Sequence, residues 1–479
     1  MIQSVRSQLL QGVAWNFTEK VMLRGISFMI GIILARLLTP SDYGLIGLLA
    51  VFMALSNAFI DGGFSKALVQ RQNCNAIDYS TTFVSNMVMS LFLFVILYIF
   101  APWIALFYEE PILTDLTRVL SFNIVLGAIN IVQRSMLMSK VDFKSLAIVN
   151  VLSTIISGII GVGMAYLGYG VWSLVGMTLA NTMVCVVVFP FFSKWKISLK
   201  FSKASFQNLF GFGSKLMITS VVSVIMNNIS TIFIGKFYRS SQLGYFTRAS
   251  QYPDMIYILL YEVIGNVTFP VLSHLQNDKE KLLSVYKKSL YMTAFLVIPI
   301  MVLGTLLARP LIVALITEKW LPCVILMQWL LMARIVSPIS AINLNALNAL
   351  GRSDLFMKVD FSKIPMNLIM LTITIPIGVE AITIGMFCTS WIAFFVNAYY
   401  PGRLFGYGGW SQLKDWRYII LSVLIMCPVV ILVVHVINNV WLQLILGGMA
   451  GLITYILCCY IFKVIDDEML VLLKLKKNG

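Results

Sequence analysis

Ten ionisable residues stand inside stretches that otherwise have the apolar composition of membrane-spanning helices. They are Glu19, Lys20, Arg24, Asp61, Lys215, Arg248, Asp254, Glu262, Arg334 and Lys363. A charge in the hydrocarbon core costs at least about 2.5 kcal/mol, so such residues usually face a bundle interior or a water-filled cavity. Bases outnumber acids in this set, and Arg and Lys are the natural partners of phosphate oxygens. The residues therefore predict a polar, largely cationic cavity between two lobes, suited to an anionic, phosphate-bearing cargo.

The first apolar segment carries one polar stripe. At 100° per residue, Asn16, Lys20 and Arg24 fall on the same narrow face. Lys20 and Arg24 are like charges four residues apart, so they repel, and water or an anion must relieve that repulsion. The alternative for Lys20 is that its long side chain extends to the cytoplasmic headgroups. Arg24 lies one turn deeper, which favours the cavity.

The eighth segment repeats this pattern. One face of it holds Arg248, Gln251, Glu262 and Asn266, with Asp254 at the edge. A proline beside this face is expected to kink the helix, since it removes a backbone hydrogen bond. Arg248 and Glu262 could instead form an interhelical contact that only holds the bundle together.

The remaining candidates are single residues in other helices. Asp61 precedes Gly62 and Gly63, so it could pair with Arg24 or Lys20, or cap a helix break at the glycines. Lys215 and Arg334 could complete the cavity, and Lys363 is expected inside the eleventh helix. Four residues of the fourth helix could also contribute: Arg118, Asn130, Gln133 and Arg134.

The composition defines the elements that must position these residues. The chain has 479 residues, of which 59% are hydrophobic and only 11% are charged, which is too little charge for a soluble protein of this size. About 14 apolar runs are long enough to span a bilayer, and they are continuous and not alternating, which favours helices over a barrel. They begin near Gly12, Asp42, Ser80, Leu113, Leu146, Val171, Phe206, Gln242, Ser289, Pro322, Leu355, Glu380, Tyr418 and Val440. The predicted fold class is an all-α integral membrane protein.

An internal repeat divides the chain. The segment from Ile32 to Leu37 is matched 200 positions later by Ile232 to Phe237, and Gly44 is matched by Gly244. Six helices separate the copies, so the two halves would share one orientation. We expect two pseudo-symmetric six-helix lobes, 1–193 and 206–402, joined by a basic cytoplasmic linker at 194–205. A lipid-facing accessory helix pair at 418–463 and a cytoplasmic tail at 464–479 would follow.

The net charge of +15 would suit nucleic-acid binding, but its distribution argues against that partner. With the N-terminus inside, only five of the 35 Lys and Arg residues fall on the outer side: Arg36, Lys236, Arg239, Arg309 and Lys319. This is the positive-inside pattern, which sets orientation and needs no basic ligand. It predicts a multi-pass protein with both termini in the cytoplasm.

The sequence shows no signature of catalysis or metal binding. It contains only two histidines, His274 and His435, and no P-loop, metal-ligand cluster or Ser/His/Asp arrangement. The seven cysteines suggest neither a disulfide framework nor a zinc site. We therefore expect a transporter and not an enzyme, with no cofactor. Its energy would come from an ion gradient, from the gradient of the cargo or from consumption of the product.

Several short segments, in order, resemble one known family of transporters. They are Ala35-Arg36-Leu37-Leu38-Thr39-Pro40-Ser41-Asp42-Tyr43-Gly44, Asp61-Gly62-Gly63-Phe64 through Gln70-Arg71, Gly168-Tyr169-Gly170-Val171-Trp172-Ser173-Leu174, Gly244-Tyr245-Phe246-Thr247-Arg248-Ala249, Phe269-Pro270-Val271-Leu272-Ser273, Lys319-Trp320 and Ala349-Leu350-Gly351-Arg352. Together they resemble the Wzx-type polysaccharide-export flippases of the multidrug/oligosaccharidyl-lipid/polysaccharide superfamily. Within that family the sequence is most similar to the colanic-acid-type exporters.

The resemblance implies a flippase that moves undecaprenyl-pyrophosphate-linked oligosaccharide units from the inner to the outer leaflet of the bacterial cytoplasmic membrane. It implies alternating access, with helices one, two, seven and eight lining the cavity. The expected partners are this lipid-linked cargo, membrane lipids and the polysaccharide polymerase or export machinery. Coupling to Na⁺ or H⁺ stays open, because the ligands of the family's cation site cannot be matched to residues here.

Three other functions remain as alternatives. A related transporter of the superfamily could flip lipid II or exchange drugs for cations, although drug antiport predicts a more acidic cavity. A membrane polysaccharide polymerase or glycosyltransferase would commonly have a large extramembrane loop or an acidic metal motif, and this sequence has neither. A scaffold or scramblase that does not transport actively is the third.

Overall fold

The structure is a computed structural model that describes the backbone of residues 2–70, 74–195 and 197–464. Side chains are described for 19–65, 67–68, 74–195, 197–211, 213–261 and 268–464. Within these residues all regular secondary structure is helical, which confirms the predicted fold class. The contacts divide the chain into two compact units, Met1–Gly244 and Tyr245–Gly479.

The first unit contains eight complete helices and the start of a ninth. They are α1 (Ile2–Leu37), α2 (Pro40–Asp61), α3 (Phe64–Gln70), α4 (Ala76–Tyr108), α5 (Leu113–Ser139), α6 (Phe143–Tyr166), α7 (Trp172–Ser193), α8 (Lys203–Phe237) and α9 (Ser240–His274). Helix α1 packs on α6, α6 on α7, α4 on α5, and α8 on α2 and α4. The unit therefore includes α8. The lobe boundaries at 193 and 206 refer to the sequence repeat, and they stay a prediction.

The second unit continues α9 and contains the remaining helices. They are α10 (Lys279–Leu306), α11 (Ala308–Ile316), α12 (Cys323–Arg334), α13 (Ser337–Ala349), α14 (Ser353–Thr374), α15 (Val379–Phe405), α16 (Gly409–Asp415), α17 (Arg417–Val436) and α18 (Val440–Ile461). Helix α15 packs on α12, α13 and α14, whereas α17 and α18 pack on each other and on α10.

Eleven helical segments of the described chain are long and apolar enough to cross a membrane, with α12 and α13 counted as one segment. Three other long helices, α1, α9 and α14, fall outside that set. They carry Lys20, Arg24, Arg248, Asp254 and Lys363, whose charges lower the local hydropathy. The multi-pass character of the protein is confirmed, whereas the number of 14 spans stays a prediction.

Short polar sequences set where the helices begin. At the start of α2 the Thr39 hydroxyl accepts a hydrogen bond from the Asp42 backbone N–H at 3.3 Å, and the Asp42 carboxylate accepts one from the Thr39 N–H at 2.8 Å. This capping box satisfies two backbone donors that have no partner within the helix. At the start of α10 the Asp278 carboxylate caps Lys281, and the hydrogen bonds from Lys281 lower the pKa of Asp278.

The repeated glycines mark a close helix approach in the first unit. The Ser41 and Ser240 hydroxyl oxygens lie 2.7 Å apart. A Cβ on Gly44 would collide with the carbonyl oxygen of Ser240, and a Cβ on Gly244 would collide with the carbonyl oxygen of Pro40. The two copies of the repeat therefore meet at the N-terminal ends of α2 and α9, where only glycine allows the backbones to approach this closely.

A buried polar network ties three helices of the second unit together. The Tyr286 hydroxyl donates to Asn343 Oδ1 at 2.5 Å, and Gln412 Nε2 donates to the same oxygen at 3.1 Å. All three residues are fully buried, so the contacts satisfy groups that would otherwise be costly in the interior. Nearby, in the loop before α16, burial raises the pKa of Tyr407, and the hydrogen bond to Asp415 raises it further. The network joins α10, α13 and α16.

The C-terminal pair α17 and α18 packs inward through small residues. Gly447 and Gly451 lie against Leu307 and Leu303, at the end of α10 and the turn that follows it, and against Val430 of α17. The outer faces carry large exposed apolar side chains such as Leu432 and Ile456. These faces suit lipid contact, and the assignment of α17 and α18 as an accessory pair stays a prediction.

The glycine approach predicts opposite effects for two Gly-to-Ala changes. Gly44→Ala should lower the thermal midpoint of the purified chain in detergent, by the equivalent of about 1–3 kcal/mol, because the new Cβ meets backbone that cannot rotate away. Gly127→Ala in α5 is the matched control, since no atom lies within 4 Å of its added Cβ. It should stabilise the helix by roughly 0.5–1 kcal/mol. Equal stabilisation by both changes would show that the contact is absent.

Candidate functional site: charged residues within the membrane helices

Helix α1 presents Glu19, Lys20 and Arg24 as half-buried side chains. Glu19 Oε1 accepts a hydrogen bond of 2.7 Å from the Asn150 side-chain amide of α6. An amide donor stabilises a carboxylate without neutralising it, so Glu19 can still reduce the net charge of the stripe beside it. The bases Lys20 and Arg24 are one helical turn apart, as the sequence predicted.

Further polar contacts, between α6 and α7, lie beyond the Glu19–Asn150 hydrogen bond along α6. The Asn181 side-chain amide of α7 lies 3.4 Å from the Ser153 hydroxyl and 3.3 Å from the Ser157 hydroxyl. Neither Asn150 nor Asn181 is among the residues singled out from the sequence. The signal that indicates them is an amide side chain in an apolar helix, because Asn in hydrocarbon also needs a partner.

Asp61 has a structural partner at the break between α2 and α3. Its carboxylate accepts hydrogen bonds from the backbone N–H of Ser65, at 3.2 Å, and from the Ser65 hydroxyl. Gly62 and Gly63 have φ angles of 48° and 72°, in the left-handed region that favours glycine. The structure thus supports the alternative in which Asp61 caps a helix break at the glycines.

The other candidates of the first unit divide into exposed and interior residues. Lys215 on α8 has an exposed side chain. Asn130 donates to the Thr182 carbonyl at 3.3 Å, and Gln133 accepts from the Ser193 hydroxyl at 3.2 Å. These two contacts tie α5 to α7, so Asn130 and Gln133 hold the interior of this unit.

In the second unit, Arg248 is almost fully buried, with 4% of its surface exposed. Its Nη1 donates to Gln251 Oε1, one turn further along α9. Its guanidinium carbon lies 5.9 Å from the centre of the Trp320 ring, a distance at which the ring face attracts a cation. The predicted polar face of α9 therefore brings Arg248 and Gln251 together, and Trp320 is a neighbour that the helical periodicity could not indicate.

Asp254 and Arg334 form an ion pair. Arg334 Nη2 and Nε lie 2.6 and 2.8 Å from Asp254 Oδ1, and the side chains are 34% and 38% exposed. The guanidinium also lies 5.2 Å from the centre of the Tyr257 ring. This pair joins α9 to α12, and it neutralises much of the charge that Arg334 was expected to bring to a cargo.

Lys363 is held inside the second unit, with 17% of its side chain exposed. Its ammonium lies 2.7 Å from Asp360 and 3.2 Å from the Asn397 side-chain oxygen. The predicted interior position of Lys363 agrees with this geometry, and its partners explain how the charge is tolerated.

Three predicted site residues, Asn16, Glu262 and Asn266, have side chains outside the described residues. Within the part of the chain that the structure describes, no group of three or more His, Cys, Asp or Glu side chains could hold a metal ion.

The sequence matches a family model described as "Polysaccharide biosynthesis protein" over residues 33–325. The teichuronic acid biosynthesis protein TuaB of Bacillus subtilis is 23% identical over 354 residues, which cover 74% of this chain and 73% of that protein. The succinoglycan biosynthesis transport protein ExoT of Rhizobium meliloti is 24% identical over 311 residues, which cover 65% of this chain and 63% of that protein. The lipopolysaccharide biosynthesis protein WzxC of Escherichia coli is 22% identical, over 75% and 74% respectively.

Two solved structures show that the fold is shared more widely. The lipid II flippase MurJ in an inward closed conformation aligns with a TM-score of 0.73 at 18% identity, over 93% of this chain and 98% of that one. An inward-facing multidrug resistance MATE family transporter of the MOP superfamily aligns with a TM-score of 0.63 at 17% identity, over 82% of this chain and 96% of that one. At these identities the likeness shows the fold.

The ion pair predicts that Arg334→Ala lowers stability by roughly 1–3 kcal/mol, because it leaves the Asp254 carboxylate unpaired but about one third exposed to screening. The thermal midpoint in detergent measures this effect. Arg334→Gln combined with Asp254→Asn should recover part of the loss, since neither charge then lacks a partner.

Arg352→Ala is the matched control, because the Arg352–Asp354 pair is exposed and should leave the midpoint almost unchanged. Equal losses from Arg334→Ala and Arg352→Ala would contradict a stabilising role for the inner pair.

Proposed function

We propose that this chain, which belongs to the polysaccharide biosynthesis protein family, is a flippase. It is a transporter of the multidrug/oligosaccharidyl-lipid/polysaccharide superfamily and not an enzyme. It would move undecaprenyl-pyrophosphate-linked oligosaccharide units from the inner to the outer leaflet of the bacterial cytoplasmic membrane. The transport cycle would be alternating access, in the service of surface polysaccharide synthesis.

One observation carries this proposal: cations recur inside two of the long helices, at Lys20 and Arg24 of α1 and at Arg248 of α9. Basic side chains in hydrocarbon are retained only where they have a function or a partner. A pyrophosphate carries the complementary charge, and Arg and Lys bind phosphate oxygens with charge-assisted hydrogen bonds.

The roles of the side chains follow from their chemistry. Lys20, Arg24, Arg248 and Lys215 would attract the pyrophosphate and acidic sugars. Arg334 would act as part of its pair with Asp254. Gln251, Asn16 and Asn266 would offer hydrogen bonds to the glycan, and the lipid tail would stay in the bilayer.

Two acids of the predicted site have other proposed roles. Asp61 would keep the end of α2 fixed through Ser65 and would act on the cargo only indirectly. Glu262 would balance the positive charge of α9. We propose coupling to a Na⁺ or H⁺ gradient without assigning its ligands.

The orientation and partners complete the proposal. The positive-inside distribution supports cytoplasmic termini. The cargo would be supplied by enzymes that assemble lipid-linked oligosaccharides, and the polysaccharide polymerase or export machinery would consume it at the outer leaflet.

Arg24→Ala should abolish polymer export while the amount of protein in the membrane stays unchanged. Removing one charge-assisted contact to phosphate is expected to slow flipping by roughly tenfold or more. The measurement follows lipid-linked oligosaccharides in a strain that lacks the gene, with a probe confined to the outer face. Complete repeat units should accumulate on the cytoplasmic side, and the wild-type gene should reverse this, whereas the Arg24→Ala gene should not.

Arg24→Lys keeps the charge and should restore part of the export, and Arg352→Ala is a control for loss of an exposed arginine. Normal export by Arg24→Ala would remove this residue from the site. Unpolymerised units on the outer face of the deletion strain would overturn the flippase proposal and favour a polymerase.

A further inference from the structure

Helices α14 and α15 run antiparallel and leave a groove between them in the second unit. It has a volume of about 480 Å³ and lies near the start of α14 and the end of α15. Its apolar walls include Val359 of α14 and Ile392, Phe395 and Val396 of α15. Binding sites for small molecules commonly have volumes of ~300–1,000 Å³ and walls of this kind. None of the residues proposed to bind the transported cargo lines it.

The polar end of the groove is cationic. Lys358 lies in its lining with an exposed side chain, and no described residue forms an ion pair with it. The acids closest to it along α14 are already engaged, because Asp354 pairs with Arg352 and Asp360 pairs with Lys363. Lys358 therefore keeps its full charge for a ligand.

A second cation lies at the same end of the hairpin. The Arg403 guanidinium carbon is 4.8 Å from the centre of the Tyr399 ring, and Tyr399 lines the groove. Stacking on the ring orients the guanidinium and leaves its N–H donors available for an anion. Lys358 thus lies in the groove lining, and Arg403 stacks on a ring that lines the groove.

Exposed aromatic residues lie beside the cationic end of the groove. Trp410 of α16 is 77% exposed, and its ring centre lies 5.1 Å from that of Phe395. Tyr399 is half-exposed and Tyr400 lines the groove beside it. Trp and Tyr concentrate where a membrane protein meets the headgroups, so the aromatic residues give this end of the groove the composition expected at headgroup level.

We propose that this groove binds one anionic phospholipid of the bilayer. Its phosphate would contact Lys358 and Arg403, and one acyl chain would lie along Ile392 and Val396. Basic pockets between membrane helices bind anionic headgroups in this way. The site is independent of the flippase proposal, because a resident lipid stabilises the α14–α15 hairpin whether or not a cargo is transported.

The positive charge at the entrance should favour an anionic headgroup over a zwitterionic one. A zwitterionic lipid offers the same phosphate, but it also brings an ammonium that two cations repel. Phosphatidylglycerol should therefore bind more tightly than phosphatidylethanolamine with the same chains. A long polyprenyl chain is a poorer occupant, because a groove of about 480 Å³ encloses only part of it.

Native mass spectrometry of the purified full chain tests the proposal by titration with dioleoyl phosphatidylglycerol and dioleoyl phosphatidylethanolamine. The wild type should retain phosphatidylglycerol preferentially. Lys358→Met should weaken this binding roughly fivefold, the effect expected for loss of one basic residue near a lipid phosphate. Binding of phosphatidylethanolamine should change less.

Ser362→Phe provides a second variant that keeps the charge. Ser362 lines the groove, so a phenyl ring there should block the acyl chain and reduce binding of both lipids. Lys414→Met is the matched control, since Lys414 is an exposed cation of α16 outside the groove lining. Thermal midpoints show whether each variant is folded. If Lys358→Met does not fold, lipid binding by Ser362→Phe tests the proposal in its place.

Three results would overturn the proposal. The first is equal binding of the two lipids by the wild type. The second is unchanged phosphatidylglycerol binding in both groove variants. The third is displacement of phosphatidylglycerol by equimolar undecaprenyl phosphate, which would assign the groove to a cargo-type lipid.

Discussion

The hydrocarbon core of the bilayer contains no water that could form hydrogen bonds with polar groups. The packing of the helices in this protein depends on this constraint. Every charge or amide placed in a membrane helix must find its partner on another helix, on a ligand or in a hydrated cavity. Glu19 finds Asn150, and Lys363 finds Asp360 and Asn397. These contacts join α1 to α6 and α14 to α15. The residues that look most functional in the sequence are therefore also the residues that determine which helices pack together.

This constraint separates the intramembrane charges into two groups. Asp61 is engaged by Ser65, and Arg334 is engaged by Asp254, so part of their charge serves the fold. Arg248 is buried beside Trp320 and Gln251, and the ring and the amide position its guanidinium. A site for pyrophosphate needs cations whose geometry is fixed in this way.

The same principle explains how the apolar parts pack. Helices in lipid gain little from burying hydrocarbon, so close contact and hydrogen bonds must hold them together. Gly44 and Gly244 let two backbones approach, and Gly447 and Gly451 do the same for α18. In the second unit, Tyr286, Asn343 and Gln412 form a buried hydrogen-bonded network that joins three helices. The groove beside Lys358 differs from these contacts, because exposed apolar side chains such as Ile392 line it.

By itself, the sequence determined the helical class, the multi-pass character, the family and the helices that carry charge. The helical class, the multi-pass character and the charged helices follow from composition and from apolar runs of bilayer length, which are local features. The family is indicated by the resemblance of several short motifs. The tertiary structure decided which charges are paired. Asp254 and Arg334 are 80 positions apart, and Glu19 and Asn150 are 131 apart. No periodicity along one helix can indicate the partner on another. Helix packing decides it, by bringing a carboxylate within hydrogen-bonding distance of one donor and not of the others.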